Sequence, residues 1–294
     1  MKKFIILALC SFIIYSCRGN NQQAPDGLSI VDDLGNKFIF DKTPERIITL
    51  APNLTEMIYS LNLQDHLVGN TLYCNYPEEA VNIEKVGDLL TFNFERIVTL
   101  KPNLIFITVE GNTKETYDKF RELGLKIFVS NPRNYNGIKK TYSDIGKIFG
   151  IEPKVNSELA RWDSIITSIS SSTQKNKILS GAMLIEINPI MIAGKSTFFN
   201  EFFDICGLKN IAEDSPLNYP VFSREELLNR NPDFIFFPTA LDDKLERVVK
   251  AYPEWENLKS VQQGNFHLID RDLFARPGPR FVEAVQYLYK LTHQ

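Results

Sequence analysis

The chain has 294 residues, 44% of them hydrophobic and 12% aromatic, which is enough apolar material for two lobes of roughly 100–150 residues and too much for a disordered polymer. Its 33 Lys and Arg against 36 Asp and Glu leave a formal net charge of -3, so there is no basic field to attract nucleic acid. Four cysteines in this length exclude a disulfide framework as the source of stability.

The first segment reads as an export signal: Lys2 and Lys3, an apolar run from Phe4 to Ile14, then Tyr15-Ser16-Cys17. The run is too short to cross a bilayer as a helix. A cysteine directly after a small residue at the end of such a run resembles a bacterial lipobox. That resemblance implies a signal peptide over residues 1–16, Cys17 as the lipid-modified first residue, and a location in the periplasm or cell envelope, anchored to the membrane. Residues 17–27 are polar and read as a flexible tether. Cys10 leaves with the signal, so Cys74 and Cys206 remain and read as packed or free thiols; two cysteines cannot make a structural zinc site.

From Leu28 onward, short β-branched and aromatic runs alternate with helical periods, the pattern of an α/β protein. We expect an N-terminal lobe over residues 28–150, a connecting helix over 151–176 and a C-terminal lobe over 177–294. Residues 47–50 read as a buried strand, and Asn53 with Glu56 three residues on reads as a capping box opening a helix with the apolar face Leu54, Met57, Ile58 and Leu61. Residues 104–109 and 126–129 read as strands, the second following a helix that ends at Leu123-Gly124, where glycine suits a left-handed cap. Over 152–174 the apolar residues Val155, Leu159, Trp162, Ile166 and Ile169 mark one face of a helix roughly 30 Å long. Strands follow over 181–187, 234–237 and 266–269, and Phe281, Val285 and Leu288 mark a closing helix.

An internal repeat organises these elements. The run Glu95 to Phe106, with Pro102 after a short helix and a buried strand directly behind it, returns with identical spacing as Glu225 to Phe236, with Pro232 in the same place. Gly124 before a strand is matched by Gly264 before a strand. Ordered pairs on either side of one long helix imply two similar lobes.

These residues resemble the helical-backbone class of periplasmic binding proteins that serve ABC importers, and within it the cobalamin-binding branch. The carriers are Arg46 through Pro52 with Thr55 and Glu56, Val68-Gly69 with Tyr73 and Tyr76-Pro77, Asn93 through Val98 with Leu100 through Pro102, Asn188-Pro189 with Gly194-Lys195, Ser223 through Glu225, and Arg276 with Pro279-Arg280. The resemblance implies two Rossmann-like lobes joined by one rigid helix, a ligand cleft between them, and modest closure. It implies cobalamin or a related corrinoid as transported ligand, with no cofactor, no bound metal and no catalytic residue. Partners would be an ABC permease and ATPase complex, with the binder itself a monomer.

The positions matching the class's ligand contacts are Pro52, Asn53, Tyr73, Leu89, Met191, Tyr219, Asp272 and Arg276, with Phe92 and Phe274 close by in sequence. Leu89 and Tyr219 stand where cobalamin binders carry tryptophan, and Met191 where they carry phenylalanine. Cys206 matches one half of a class disulfide whose other position here is Tyr289. For each aromatic, core packing is the competing account. Glu95 and Glu225 match the two carboxylates that dock on permease arginines; each alone would also suit the dipole at a helix start.

Rival readings are an exported enzyme and a different cargo. His66, His267 and His293 form no i, i+3 or i, i+4 pair, and no Gly-x-Ser-x-Gly or phosphate-cradling glycine loop occurs, which argues against hydrolase chemistry. One carboxylate among the matched cleft positions, Asp272, is too few for a bare metal ion. Haem would use Tyr73 or Tyr219 as an axial ligand, and an anionic ferric siderophore would need several cleft cations.

Overall fold

The computed structural model describes residues 27–173, 178–239 and 245–293, so the expected signal peptide, Cys17 and all of the tether but Gly27 lie outside the described residues. Two parallel sheets dominate. The strands are β1 (Leu28–Val31), β2 (Lys37–Phe40), β3 (Ile47–Thr49), β4 (Leu67–Gly69), β5 (Leu104–Thr108), β6 (Ile127–Ser130), β7 (Leu179–Ile187), β8 (Ile190–Ile192), β9 (Leu208–Asn210), β10 (Phe234–Thr239) and β11 (Phe266–Asp270). In the first lobe they order β4-β3-β5-β6, all parallel. Every residue of β3, β5 and β6 is buried, which explains why these strands read as continuous apolar runs: helices cover both faces of the sheet. In the second lobe the order is β11-β10-β7-β8 with β9 also on β7, parallel except for the β7–β8 hairpin.

The repeat survives in detail. β5 lies between β3 and β6, and β10 lies between β7 and β11. The helices before them, Phe94–Thr99 and Arg224–Arg230, are capped alike: Asn93 accepts the Arg96 amide, and Ser223 accepts the Glu226 amide. Each ends on a left-handed residue directly before its proline, Lys101 at φ 48° and Asn231 at φ 38°. Past the prolines, Asn103 Oδ1 accepts the amides of Glu45 and Arg46, and Asp233 Oδ2 accepts the amide of Ser180, so each unit pins the start of its neighbouring strand.

The connecting helix, Glu152–Thr173, has 22 residues and so runs about 33 Å. It buries Val155, Trp162 and Ile169, with Leu159 and Ile166 partly covered. It packs on Tyr135–Ile148 of the first lobe and on Phe198–Cys206 and Phe281–Thr292 of the second. One apolar cluster thus runs from Leu54 and Phe128 through Trp162 to Phe202, Phe281 and Leu288. Hinge bending would have to open that shared core, which opposes large closure. Cys74 and Cys206 are buried free thiols, and burial pushes the Cys206 thiol up to about 12.

One expectation fails here. The helix Pro52–Ser60 opens at Ala51 with no side-chain cap, and Pro52 lies in its first turn. Asn53 and Glu56 therefore form no capping box. Both side chains turn instead to the opposite lobe, Asn53 to the Pro277 carbonyl and Glu56 to two arginines.

Candidate functional site

The chain brings its cleft together at the carboxyl ends of parallel strands, where open α/β sheets leave a crevice. Ala51, Pro52 and Asn53 follow β3, Thr108 and Glu110 end and follow β5, and Asn131 and Pro132 follow β6. Across from them, Arg271, Asp272, Ala275, Arg276 and Pro277 follow β11. Tyr73 and Leu89 complete the wall of a cavity of about 300 Å³.

Its floor is an ion cluster between the lobes. Glu56 accepts from Arg276 Nη1 at 2.9 Å, from Arg280 Nε at 3.1 Å and from Arg280 Nη2 at 3.0 Å. The Glu56 side chain is 1% exposed and those of the arginines 10% and 13%. Arg276 also pairs with Asp272 at 2.6 Å and donates to the Tyr73 carbonyl, and Arg280 stacks 3.8 Å over the Tyr76 ring. Burial works against the charge on Arg280, but the hydrogen bonds and charge of Glu56 outweigh it and raise its pKa. Two carboxylates thus meet two guanidiniums and the cluster is neutral. Asn53 Nδ2 donates to the Pro277 carbonyl beside it, and Asn75 Nδ2 donates to Asp272 Oδ2 at 2.8 Å.

Loops of both lobes also carry exposed apolar side chains. Leu72, Tyr73, Tyr76 and Leu90 stand on the first lobe and Leu217, Tyr219 and Val221 on the second. Two glycines permit the loop shapes. At Gly87, with φ 137°, a Cβ would meet the Thr91 carbonyl oxygen at 2.3 Å, so only glycine lets residues 88–91 turn back, a turn that Asp88 holds by accepting the Leu90 and Thr91 amides. At Gly194 a Cβ would meet the Leu217 carbonyl oxygen at 2.5 Å, so the segment before Tyr219 lies flat against it. Burial, then the charge of Glu110 from the facing lobe, raises the Tyr219 pKa. Lys85 holds the Tyr73 loop from behind, donating to Asn70 Oδ1 and to the carbonyls of Cys74 and Ala80.

Of the residues expected in the cleft, Pro52, Asn53, Tyr73, Leu89, Asp272 and Arg276 line this cavity, and Tyr219 faces it from the second lobe. Met191 is half-buried on β8 and bridges Val221 beside Tyr219. Phe92 and Phe274 do not reach it. Phe92 is buried against Phe120, and Phe274 is fully buried against Phe202 and Tyr287. The reason is local: residues 271–274 form a short helix that turns Phe274 inward while Arg271 and Asp272 line the cavity. Arg276 lines the wall, yet its guanidinium is committed to the floor. Sequence reasoning assigned none of Glu56, Arg280, Glu110 and Arg271 to the cleft; for Glu56 and Arg280 their place among the residues that carry the family resemblance was the available signal.

Glu95 and Glu225 are exposed on the first turns of the two repeat helices, and among the described residues neither carboxylate has an ion pair. Among the described residues no group of three His, Cys, Asp or Glu side chains gathers to hold a metal, and no helix is long and apolar enough to cross a membrane.

The family described as periplasmic binding protein matches residues 47–273. An ABC transporter substrate-binding lipoprotein of Bacillus subtilis, YvrC, is 29% identical over 267 residues, 88% of this chain and 83% of that one. Vitamin B12-binding proteins of Vibrio cholerae are alike in sequence and in shape: one is 30% identical over 82% of this chain and 87% of its own. The crystal structure of the periplasmic vitamin B12 binding protein BtuF of that organism superposes with a TM-score of 0.72 at 27% identity, covering 86% of this chain and 99% of that one. The periplasmic haem binding protein HutB of Vibrio cholerae shares the fold, with a TM-score of 0.76 at 20% identity over 85% of this chain and 100% of that one.

Proposed function

Because the chain belongs to the periplasmic binding protein family, we propose that it captures cobalamin or a related corrinoid in the cleft and hands it, chemically unchanged, to the permease and ATPase of an ABC importer. The observation that carries this reading is a cleft between the lobes with an exposed tyrosine on either side, Tyr73 and Tyr219, beside an ion cluster whose charges cancel. A flat, bulky ligand gains by covering such rings, about 25 cal/mol for each Å² of apolar surface removed from water. The cavity of about 300 Å³ sits at the small end of ligand pockets, so a macrocycle rests across the cleft mouth with one edge in the cavity. The vitamin B12-binding relatives support the choice of ligand.

One observation disfavours an anionic siderophore. Arg276 and Arg280 are spent on Glu56, which leaves an anionic ferric complex few cleft cations. Glu95 and Glu225 supply the two docking points for the permease, and lipid on Cys17 keeps the binder at the membrane, as the name of the Bacillus relative suggests.

The test is titration of the chain from residue 18 onward with cyanocobalamin, haemin and a ferric hydroxamate siderophore, by calorimetry and visible spectra. Saturable binding of the corrinoid alone is expected; siderophore binding without corrinoid binding would replace the reading. Glu95→Lys with Glu225→Lys should keep ligand affinity and abolish stimulation of transporter ATPase. Cys17→Ser should move the protein from the membrane to the soluble fraction.

A further inference from the structure

The cleft holds a second cavity, of about 390 Å³, between Tyr76 of one lobe and Asp270 and Arg280 of the other. Arg271 and Asp272 line both cavities, so they form the partition. The cations around this partition are not equivalent. Arg276 and Arg280 are tied to Glu56, and Arg276 also to Asp272. Arg271 is exposed and, among the described residues, has no ion pair and no side-chain hydrogen bond.

Of the two acids beside it, Asp272 is held by Asn75 at 2.8 Å and Arg276 at 2.6 Å, while Asp270 accepts the Asp272 amide at 2.8 Å and keeps its own charge at the second cavity. Arg271 therefore offers a planar, permanently charged donor fork to whatever enters either cavity, and that geometry matches a carboxylate or phosphate oxygen pair. Among the described residues, the other two arginines lining the cavities, Arg276 and Arg280, are both ion-paired.

We infer that Arg271 reads an anionic oxygen group on the ligand, one that hangs from the macrocycle's edge into the second cavity. This rests on the corrinoid reading above. For a corrinoid the group is the phosphodiester of the nucleotide appendage, since the other peripheral groups are neutral amides. Arg271 then distinguishes corrinoids that carry the appendage from those that lack it, while the cleft walls bind the shared ring.

The experiment compares the wild-type chain from residue 18 onward with Arg271→Gln and Arg271→Lys, titrated with cyanocobalamin and with dicyanocobinamide, which lacks the phosphodiester, at low and high salt. Arg271→Gln should weaken cyanocobalamin binding by about 10- to 100-fold, the worth of a charge-assisted hydrogen-bonded pair, and change dicyanocobinamide binding less than about threefold. The salt dependence of cyanocobalamin binding should vanish in Arg271→Gln and persist in Arg271→Lys. Unchanged affinity for both ligands, or equal loss for both with the salt dependence intact, would overturn the role of Arg271 and leave the corrinoid reading standing. Wild-type protein that binds neither ligand would sink the corrinoid reading, and this inference with it.

Discussion

Removing the Glu56 charge is the most severe single change the structure offers outside the apolar core. In Glu56→Gln the helix Pro52–Ser60 keeps its shape, but two guanidiniums that both lie within 3.0 Å of one carboxylate oxygen lose that charge; Arg276 keeps Asp272, whereas Arg280 is left with no ion pair among the described residues. All three side chains are nearly out of water, so solvent cannot restore what is lost. Breaking such a buried pair from one side costs about 3–5 kcal/mol. At about 2–4 °C per kcal/mol for a chain of this size, the melting temperature should fall by about 6–20 °C. Urea unfolding of the ligand-free chain, followed by tryptophan fluorescence and far-UV circular dichroism, measures the loss. The triple change Glu56→Met, Arg276→Met, Arg280→Met should recover most of it, because no charge is then buried alone. A loss below 1 kcal/mol in the single variant, or a triple variant weaker than the single, would refute the account of the floor as an inter-lobe ion lock.

Burial raises the Glu201 pKa against the hydrogen bond it accepts from the Tyr135 amide, so the folded state takes up the proton first and stability rises as pH falls from neutral through that raised pKa. Glu201→Gln keeps the acceptor and should flatten that rise, matching or exceeding the wild type at pH 7 in urea midpoints; a variant weaker at pH 7 would contradict this. His267 lies against the Phe234 and Phe236 rings with its Nε2 unpartnered, and burial lowers its pKa, so stability falls as pH drops below the ordinary histidine range of about 6.5. His267→Phe should remove this part of the acid sensitivity, read from melting temperatures between pH 7 and 5. Cys74 and Cys206 should react with an aromatic disulfide reagent only on unfolding, and fast labelling of the native chain would be inconsistent with their burial. Gly194→Ala should displace the segment before Tyr219 and weaken ligand binding about tenfold or more while the circular dichroism stays native.

Much of the architecture was legible because it is written in local periods. The buried strands announced themselves as apolar runs, and the stripe Val155, Trp162, Ile169 marked the strut. The repeat at Glu95 and Glu225 extended further than its spacing suggested, into matched caps at Asn93 and Ser223 and matched left-handed residues at Lys101 and Asn231. The hairpin β1–β2 was not singled out. Its turn is held by Asp32, which accepts the amides of Leu34 and Asn36, and it docks on Val129, contacts that carry no period.

The cleft was legible only in part. Tyr73, Leu89 and Asp272, chosen from resemblance, line the cavity, whereas Phe92, paired to Gly87 and packed on Phe120, and Phe274, turned inward by one turn of helix, are buried away from it. By itself the sequence determined the α/β class, the two repeated halves and the strut, since each follows from residues close together in the chain. Only the tertiary structure decided that Glu56 would spend its charge on Arg276 and Arg280, 220 and 224 positions away, leaving Arg271, of the described arginines that line the two cavities, without an ion pair. A buried charge takes the partner that the packed core brings within about 3 Å, and no local pattern encodes that distance.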